Sequence, residues 1–306
     1  MRERALDVLM VPARPRARPP DVPRARLAEF FVLTKPRITF LVVLTTCVGF
    51  LAGAPRPLPL ALMLHTLAGT ALAAGAAGAL NQLAERRADA EMRRTQRRPL
   101  PAKRVQPYEA AVFGIGLAAL GTAHLALMAN PLASTLAAFT ALSYLALYTP
   151  LKKLTSLATV VGAVPGAIPP MIGWAAAQGG LGAEAWVLFA IVFLWQMPHF
   201  LALAHLYRTD YARAGFRMLT VEEPTGASAG RQSVLYALAL VPVSLLPTFL
   251  GLAGPVYFFG ALAFGLWFLA SGVGMAARPA SATAAKRLFH VSLLYLPAVC
   301  LLLLVG

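Results

Sequence analysis

Charge is scarce in this sequence, and cysteine scarcer still. Only 13% of its 306 residues are Asp, Glu, Lys or Arg while 58% are apolar, which lies outside the range of a soluble globular domain. The two cysteines, Cys47 and Cys300, sit inside apolar runs without Cys-x-x-Cys spacing. That excludes a disulfide framework or a thiolate metal centre and leaves two packing residues. Acidic residues are fewer than basic ones, 12 against 27, for a net charge of +15. Nucleic acid is not the implied partner, because the basic residues stand in short stretches beside apolar runs. Membrane orientation and anionic lipid account for them there. No polar stretch is long enough for a soluble domain; after the first thirty residues the longest runs over 84–106.

What is present is apolar and periodic. Runs of about 17–23 residues, separated by short polar or Pro/Gly-bearing breaks, predict an all-α polytopic membrane protein. Nine spans are expected, near 38–54, 60–83, 107–128, 134–149, 156–177, 185–206, 233–251, 255–276 and 287–305. Lys and Arg cluster before the first span, over Arg86–Arg104, at Lys152 and Lys153, over Arg208–Arg231 and over Arg278–Arg287, whereas the alternate loops hold only Arg56. The positive-inside rule then places the N-terminus in the cytoplasm and the C-terminus outside. Residues 1–30, rich in Arg and Pro, read as a disordered basic cytoplasmic tail, and 31–306 as the transmembrane domain.

The most telling stretch is Asn81-Gln-Leu-Ala-Glu85-Arg-Arg-Ala-Asp89, followed by Met92, Arg94-Thr95 and Arg98-Pro99-Leu100. Asn81, Glu85 and Asp89 recur every fourth residue, so they drift by only about 80° around a helix and share one face. Carboxylates at a membrane rim are costly unless compensated, and a divalent cation compensates them. The arginines beyond, Arg94 and Arg98 above all, suit an anionic group such as a diphosphate. Pro99 is expected to end the helical stretch, and Arg87 points off the shared face. A solvated helix end with local ion pairs is the plainer alternative.

A second cluster follows span six: Trp195-Gln-Met-Pro198-His199-Phe200, then Asp210-Tyr211-Ala-Arg213-Ala-Gly215. Pro198 is expected to kink the helix beside a cavity. His199 is either a packing imidazole or a proton acceptor or iron ligand. Asp210 follows span six as Asp89 follows span two, so it either completes a metal site or is a plain loop carboxylate. Tyr148-Thr-Pro150-Leu-Lys152-Lys153 and Leu33-Thr-Lys35-Pro36-Arg37 add cations that serve topology or reach a diphosphate. Three prolines at 165, 169 and 170 predict a broken span five.

These segments together resemble the UbiA superfamily of intramembrane prenyltransferases and, within it, the haem farnesyltransferases (haem O synthases). The segments that carry the resemblance are Leu33–Arg37, Asn81–Leu100, Pro169-Pro170-Met171-Ile-Gly173-Trp174, Pro198-His199-Phe200, Asp210–Gly215 and Ala285–Phe289. The Asn81/Glu85/Asp89 element indicates only the superfamily; the others are more specific. The chain departs from the family pattern at Glu85, where Asp is common, and at Arg87, where another Asp often stands. The resemblance implies a UbiA-like bundle around a central intramembrane cavity in the cell (inner) membrane, with its active-site loops cytoplasmic. It implies farnesyl diphosphate and haem B as substrates, Mg2+ as cofactor, and a haem A synthase as a recipient of the product. It assigns catalytic roles to Asn81, Glu85, Asp89, His199 and Asp210, and metal binding to Asn81, Glu85, Asp89 and Asp210. Substrate binding falls to Lys35, Arg37, Arg94, Arg98, Tyr148, Lys152, Lys153 and Tyr211. An aromatic, quinone-precursor acceptor is the nearest alternative; a transporter shares broken helices but has no use for acids and arginines gathered at one rim.

Overall fold

The computed structural model describes residues 23–305, with side chains from Arg26 onward. Short α1 (Pro23–Leu33) precedes α2 (Pro36–Gly53), α3 (Leu60–Glu91), α4 (Pro107–Met128) and α5 (Pro131–Leu142). A π-helical turn over Ser143–Tyr148 joins α5 to α6 (Thr149–Leu151). Then come α7 (Ala158–Ala167), α8 (Pro169–Gln178), α9 (Ala183–Leu206), α10 (Arg208–Arg213), α11 (Leu219–Glu222), α12 (Ala227–Phe249), α13 (Pro255–Ala277) and α14 (Ala282–Val305). The tail reading of residues 1–22 lies outside the described residues, and residues 23–30 are helical.

Among the described residues nine helical segments are long and apolar enough to cross a membrane, matching the nine expected spans. Helix is the only regular structure a chain can carry through hydrocarbon without closing a barrel, because each backbone donor finds its acceptor within the segment. Several helices open on proline at their first turn (Pro36, Pro107, Pro131, Pro255), where the missing N–H costs nothing. Large apolar side chains such as Val112, Leu127, Phe259 and Leu301 face outward, as lipid requires.

Each span packs on its successor, and α14 returns to α2, closing a ring. Span five keeps its neighbours but turns inward. Its prolines divide it into α7 and α8 at Ile168, as expected, and α8 runs through the interior, touching α2, α3, α5 and α9. With 72% of an 18-residue stretch buried, this is the most buried of the nine spans. Gly173 lets α8 reach α2: a Cβ there would stand 1.9 Å from the Thr46 carbonyl oxygen. By contrast α9 continues through Pro198 as one helix, and Gln196 ties this part of it to the Ala163 carbonyl at 2.7 Å. A small apolar cavity of about 20 Å3 lies beside α8, lined by Val48, Pro170, Ile191, Tyr257 and Val299 among others.

The length of α3 places the functional end. Its 32 residues span roughly 48 Å at 1.5 Å per residue, against about 30 Å of hydrocarbon. About twelve residues therefore extend past the apolar slab, and they are the ones that carry Asn81, Glu85 and Asp89.

Candidate active site

The α3 extension buries the face it was expected to bury. Asn81, Glu85 and Asp89 are 1%, 8% and 0% exposed, while Ala84 and Arg87 on the opposite side face solvent. The helix ends at Glu91, not at Pro99. Met92 turns extended and buries its side chain, and Thr95 Oγ1 caps the Asp89 carbonyl at 2.9 Å. Arg94 and Arg98 consequently lie in a turn that folds back over the acids, where a continued helix would have carried them away.

Each carboxylate on this face has a cation. Arg98 Nη1 donates to both oxygens of Asp89, at 3.0 and 2.9 Å. Lys152 Nζ donates to Glu85 Oε1 at 2.6 Å, and Lys35 Nζ to Asn81 Oδ1 at 2.5 Å. Asn81 completes its amide with a 3.1 Å bond to Thr149 Oγ1. Lys35 occupies a left-handed backbone conformation (φ 51°, ψ 61°) between α1 and α2, rare for a side-chain-bearing residue, and that turn brings its ammonium inward. Loss of hydration, then the nearby Arg98 charge, pull its pKa down to about 7, with Glu85 and Asp89 partly opposing. For Lys152, burial works against the charge, but the attraction and hydrogen bond of Glu85 and the nearby tyrosines outweigh it and the pKa rises. Arg37 and Lys153 are exposed, so in each sequence pair the structure brings only one to this face, Lys35 to the Asn81 amide and Lys152 to Glu85.

The π turn shapes the rest of the wall. Its extra residue per turn is a feature that recurs at functional sites. Here it brings the Tyr148 ring within 4.3 Å of Lys152 Nζ, and Tyr144 packs beside it. Gly162 leaves the space that ring fills, since a Cβ there would lie 2.4 Å from it. Across the rim, Arg94 stands between Tyr207 and Tyr211, 4.8 Å from each ring centre, and donates to the Tyr211 hydroxyl at 2.9 Å. The loop after α10 also holds the lysine turn, through Arg217 N–H to the Lys152 carbonyl at 2.7 Å.

Asp210 does not join the two α3 acids. It pairs with Arg213 on its own short helix at 3.3 Å, and among the described residues no three of His, Cys, Asp and Glu converge on one point. Of the four residues expected to hold metal, the structure sets Asn81, Glu85 and Asp89 on one buried face and Asp210 beside Arg213. One-turn spacing on α10 lets Asp210 find a local partner before a distant one.

His199 lies deeper in the bundle, stacked between Trp195 and Phe289. Ser292 Oγ donates to the Phe289 carbonyl at 2.6 Å, so it accepts from His199 Nδ1–H at 2.7 Å. That tautomer leaves Nε2 as a bare lone pair. Four contributors went unread in the sequence: Gln82, which donates to the Val32 and Leu33 carbonyls, and Thr149, Tyr144 and Ser292. Their only signal is a polar group inside an apolar run, which many satisfied core residues share.

Comparison with known proteins agrees with this architecture. The family model described as the UbiA prenyltransferase family matches residues 42–294. A protoheme IX farnesyltransferase of Solibacter usitatus is 47% identical over 89% of this chain and 96% of its own length. One of Salinibacter ruber is 46% identical over 91% and 98%. Among solved structures, a digeranylgeranylglyceryl phosphate synthase superposes with TM-score 0.77 at 17% identity, covering 92% of this chain and 98% of that one. A UbiA homologue of Archaeoglobus fulgidus bound to DMAPP and Mg2+ gives 0.67 at 15%, covering 91% and 100%. A nine-span bundle with paired acids and bases at one rim, and a family match across most of its length, place this chain in the UbiA prenyltransferase family.

Proposed function

We propose that the protein transfers the farnesyl group of farnesyl diphosphate to a vinyl group of haem B, with addition of water, giving haem O and diphosphate. The single observation that carries the chemistry is the buried row of Asn81, Glu85 and Asp89 facing Lys35, Lys152 and Arg98. The similarity to protoheme IX farnesyltransferases at 42–47% identity supports the choice of acceptor.

The donor set fits Mg2+. Asn81, Glu85 and Asp89 offer hard oxygen atoms, and a pair of carboxylates is what this ion takes from protein when substrate phosphates supply other ligands. Glu85 and Asp89, with Asn81 assisting, would hold it, and when bound it would neutralise charge on the leaving diphosphate. Lys152 and Arg98 now serve as the counterions of those acids. With the diphosphate present they shift toward its oxygens and release the carboxylates, so the two ligands enter together. Lys35 and Arg94 add donors at the edge, Arg94 steadied by its two tyrosine rings. Stabilising the charge that builds on the diphosphate lets the allylic C–O bond break. The C1 cation bonds to the terminal vinyl carbon, and water adds to the inner carbon and loses a proton. The His199 Nε2 lone pair is suited to take that proton or to orient haem, and the apolar span walls keep bulk water from the cation. In this reading the acid–base rim is cytoplasmic, the membrane is the cell (inner) membrane, and haem O passes on to a haem A synthase.

Purified protein incubated with Mg2+, farnesyl diphosphate and haem B is expected to yield the mass of haem O. Transfer to a 4-hydroxybenzoate-type acceptor with haem untouched would replace this reading by the quinone-precursor one.

A further inference from the structure

At the opposite end of the bundle two histidines meet that the chemistry above does not use. His65 lies five residues into α3 and His124 four residues before the end of α4. Both are half-buried and lie within about one and a half turns of their helix ends. His65 Nδ1 and His124 Nε2 are 3.3 Å apart, longer than an ordinary hydrogen bond from N–H. The ring centres are 5.2 Å apart. From centres to nitrogens the gap between the imidazoles therefore narrows quickly. An ion bound about 2 Å from each of two nitrogens 3.3 Å apart would subtend an angle of about 110°, the bond length and angle of a tetrahedral zinc–histidine site.

We propose that His65 and His124 form a two-imidazole site for a borderline transition-metal cation, Zn2+ or Cu2+, with solvent completing the coordination. Histidine nitrogens suit these ions, whereas the all-oxygen set at the other rim suits Mg2+, so the two ends differ in the metal they take. His65 binds through Nδ1 and His124 through Nε2, each ring keeping its proton on the other nitrogen. The nearby hydroxyls are engaged elsewhere: Thr66 donates to the Leu62 carbonyl and Thr122 to that of Ala118. The helices hold the geometry before any ion arrives. Gly69 lets α4 lie so close that a Cβ there would stand 2.7 Å from Leu125 and 3.2 Å from the His124 ring.

The test uses the full chain without a histidine tag, stripped with chelator, in lipid nanodiscs and saturating Mg2+. Zn2+ is titrated against a chromophoric competitor, and the Cu2+ form is read by electron paramagnetic resonance. The wild type is expected to bind one Zn2+ whose affinity falls at least tenfold in His65→Gln and in His124→Gln, but not in His290→Gln. The Cu2+ spectrum should show coupling to two nitrogens that drops to one in each single variant. Size-exclusion profiles check folding, and His65→Ala and His124→Ala replace any Gln variant that misfolds. No Zn2+ bound by the wild type, or unchanged affinity in both variants, overturns the proposal. Neither result bears on haem O formation, which is measured separately.

Discussion

Lys152 and Lys153 are neighbours in sequence and opposites in role. Lys152 is buried on Glu85 at 2.6 Å; Lys153 is exposed. Removing one member of a buried pair leaves an uncompensated charge, which typically costs about 3–5 kcal/mol. Lys152→Met is therefore expected to lower the melting temperature and weaken diphosphate binding, while Lys153→Met changes neither. Calorimetric titration with inorganic diphosphate and a thermal scan distinguish the two; equal effects would mean that the Glu85 pairing is wrong. At the metal oxygens, Asp89→Asn and Glu85→Gln should each reduce kcat for haem O formation by about 100-fold or more, the scale of losing one directed electrostatic contact in a transition state. Arg87→Ala, on the solvent side of α3, should stay within twofold. His199→Gln removes the Nε2 lone pair, whereas Ser292→Ala only frees the ring; the first is expected to lose more activity than the second, with the mass yield of haem O as the readout.

At the scale of elements, α3 and α8 position everything else. The surplus length of α3 beyond the apolar slab presents the acids, and the turn closed by Thr95 on the Asp89 carbonyl returns Arg98 to them. The contact between α2 and α8 admits no side chain at Gly173. Gly173→Ala must push backbone apart, a type of overpacking that costs about 1–3 kcal/mol. It is expected to lower the melting temperature in detergent by several degrees, and an unchanged midpoint would contradict the close approach of these helices. Of these features, the breaking of span five at its prolines was legible in the sequence. The end of α3 was not: Glu91 and Met92 carry no helix-stopping residue, and the stop comes with burial of Met92 in one cluster with Tyr211 of α10 and Ala214 and Phe216 beyond it.

For the whole molecule, the counterion arrangement couples the two ligands. Because Lys152 and Arg98 hold the acids when no diphosphate is present, Mn2+ used as a probe for Mg2+ should bind weakly alone and at least tenfold more tightly with diphosphate. By linkage, diphosphate affinity should rise by the same factor with the metal. Independent binding of the two would remove that coupling.

The sequence by itself determined how many times the chain crosses a membrane, which rim is basic, and which face of α3 carries the acids. Those features are local, since in hydrocarbon each span must satisfy its own backbone and a four-residue repeat is read within one helix. Only the tertiary structure decided that Lys35 reaches Asn81 and Lys152 reaches Glu85 while Arg37 and Lys153 do not, that Asp210 belongs to Arg213, and that His199 meets Ser292. Each of those choices depends on how one helix is rotated against another tens of residues away. Neighbouring residues on a helix point about 100° apart, so only the packed partner selects between them.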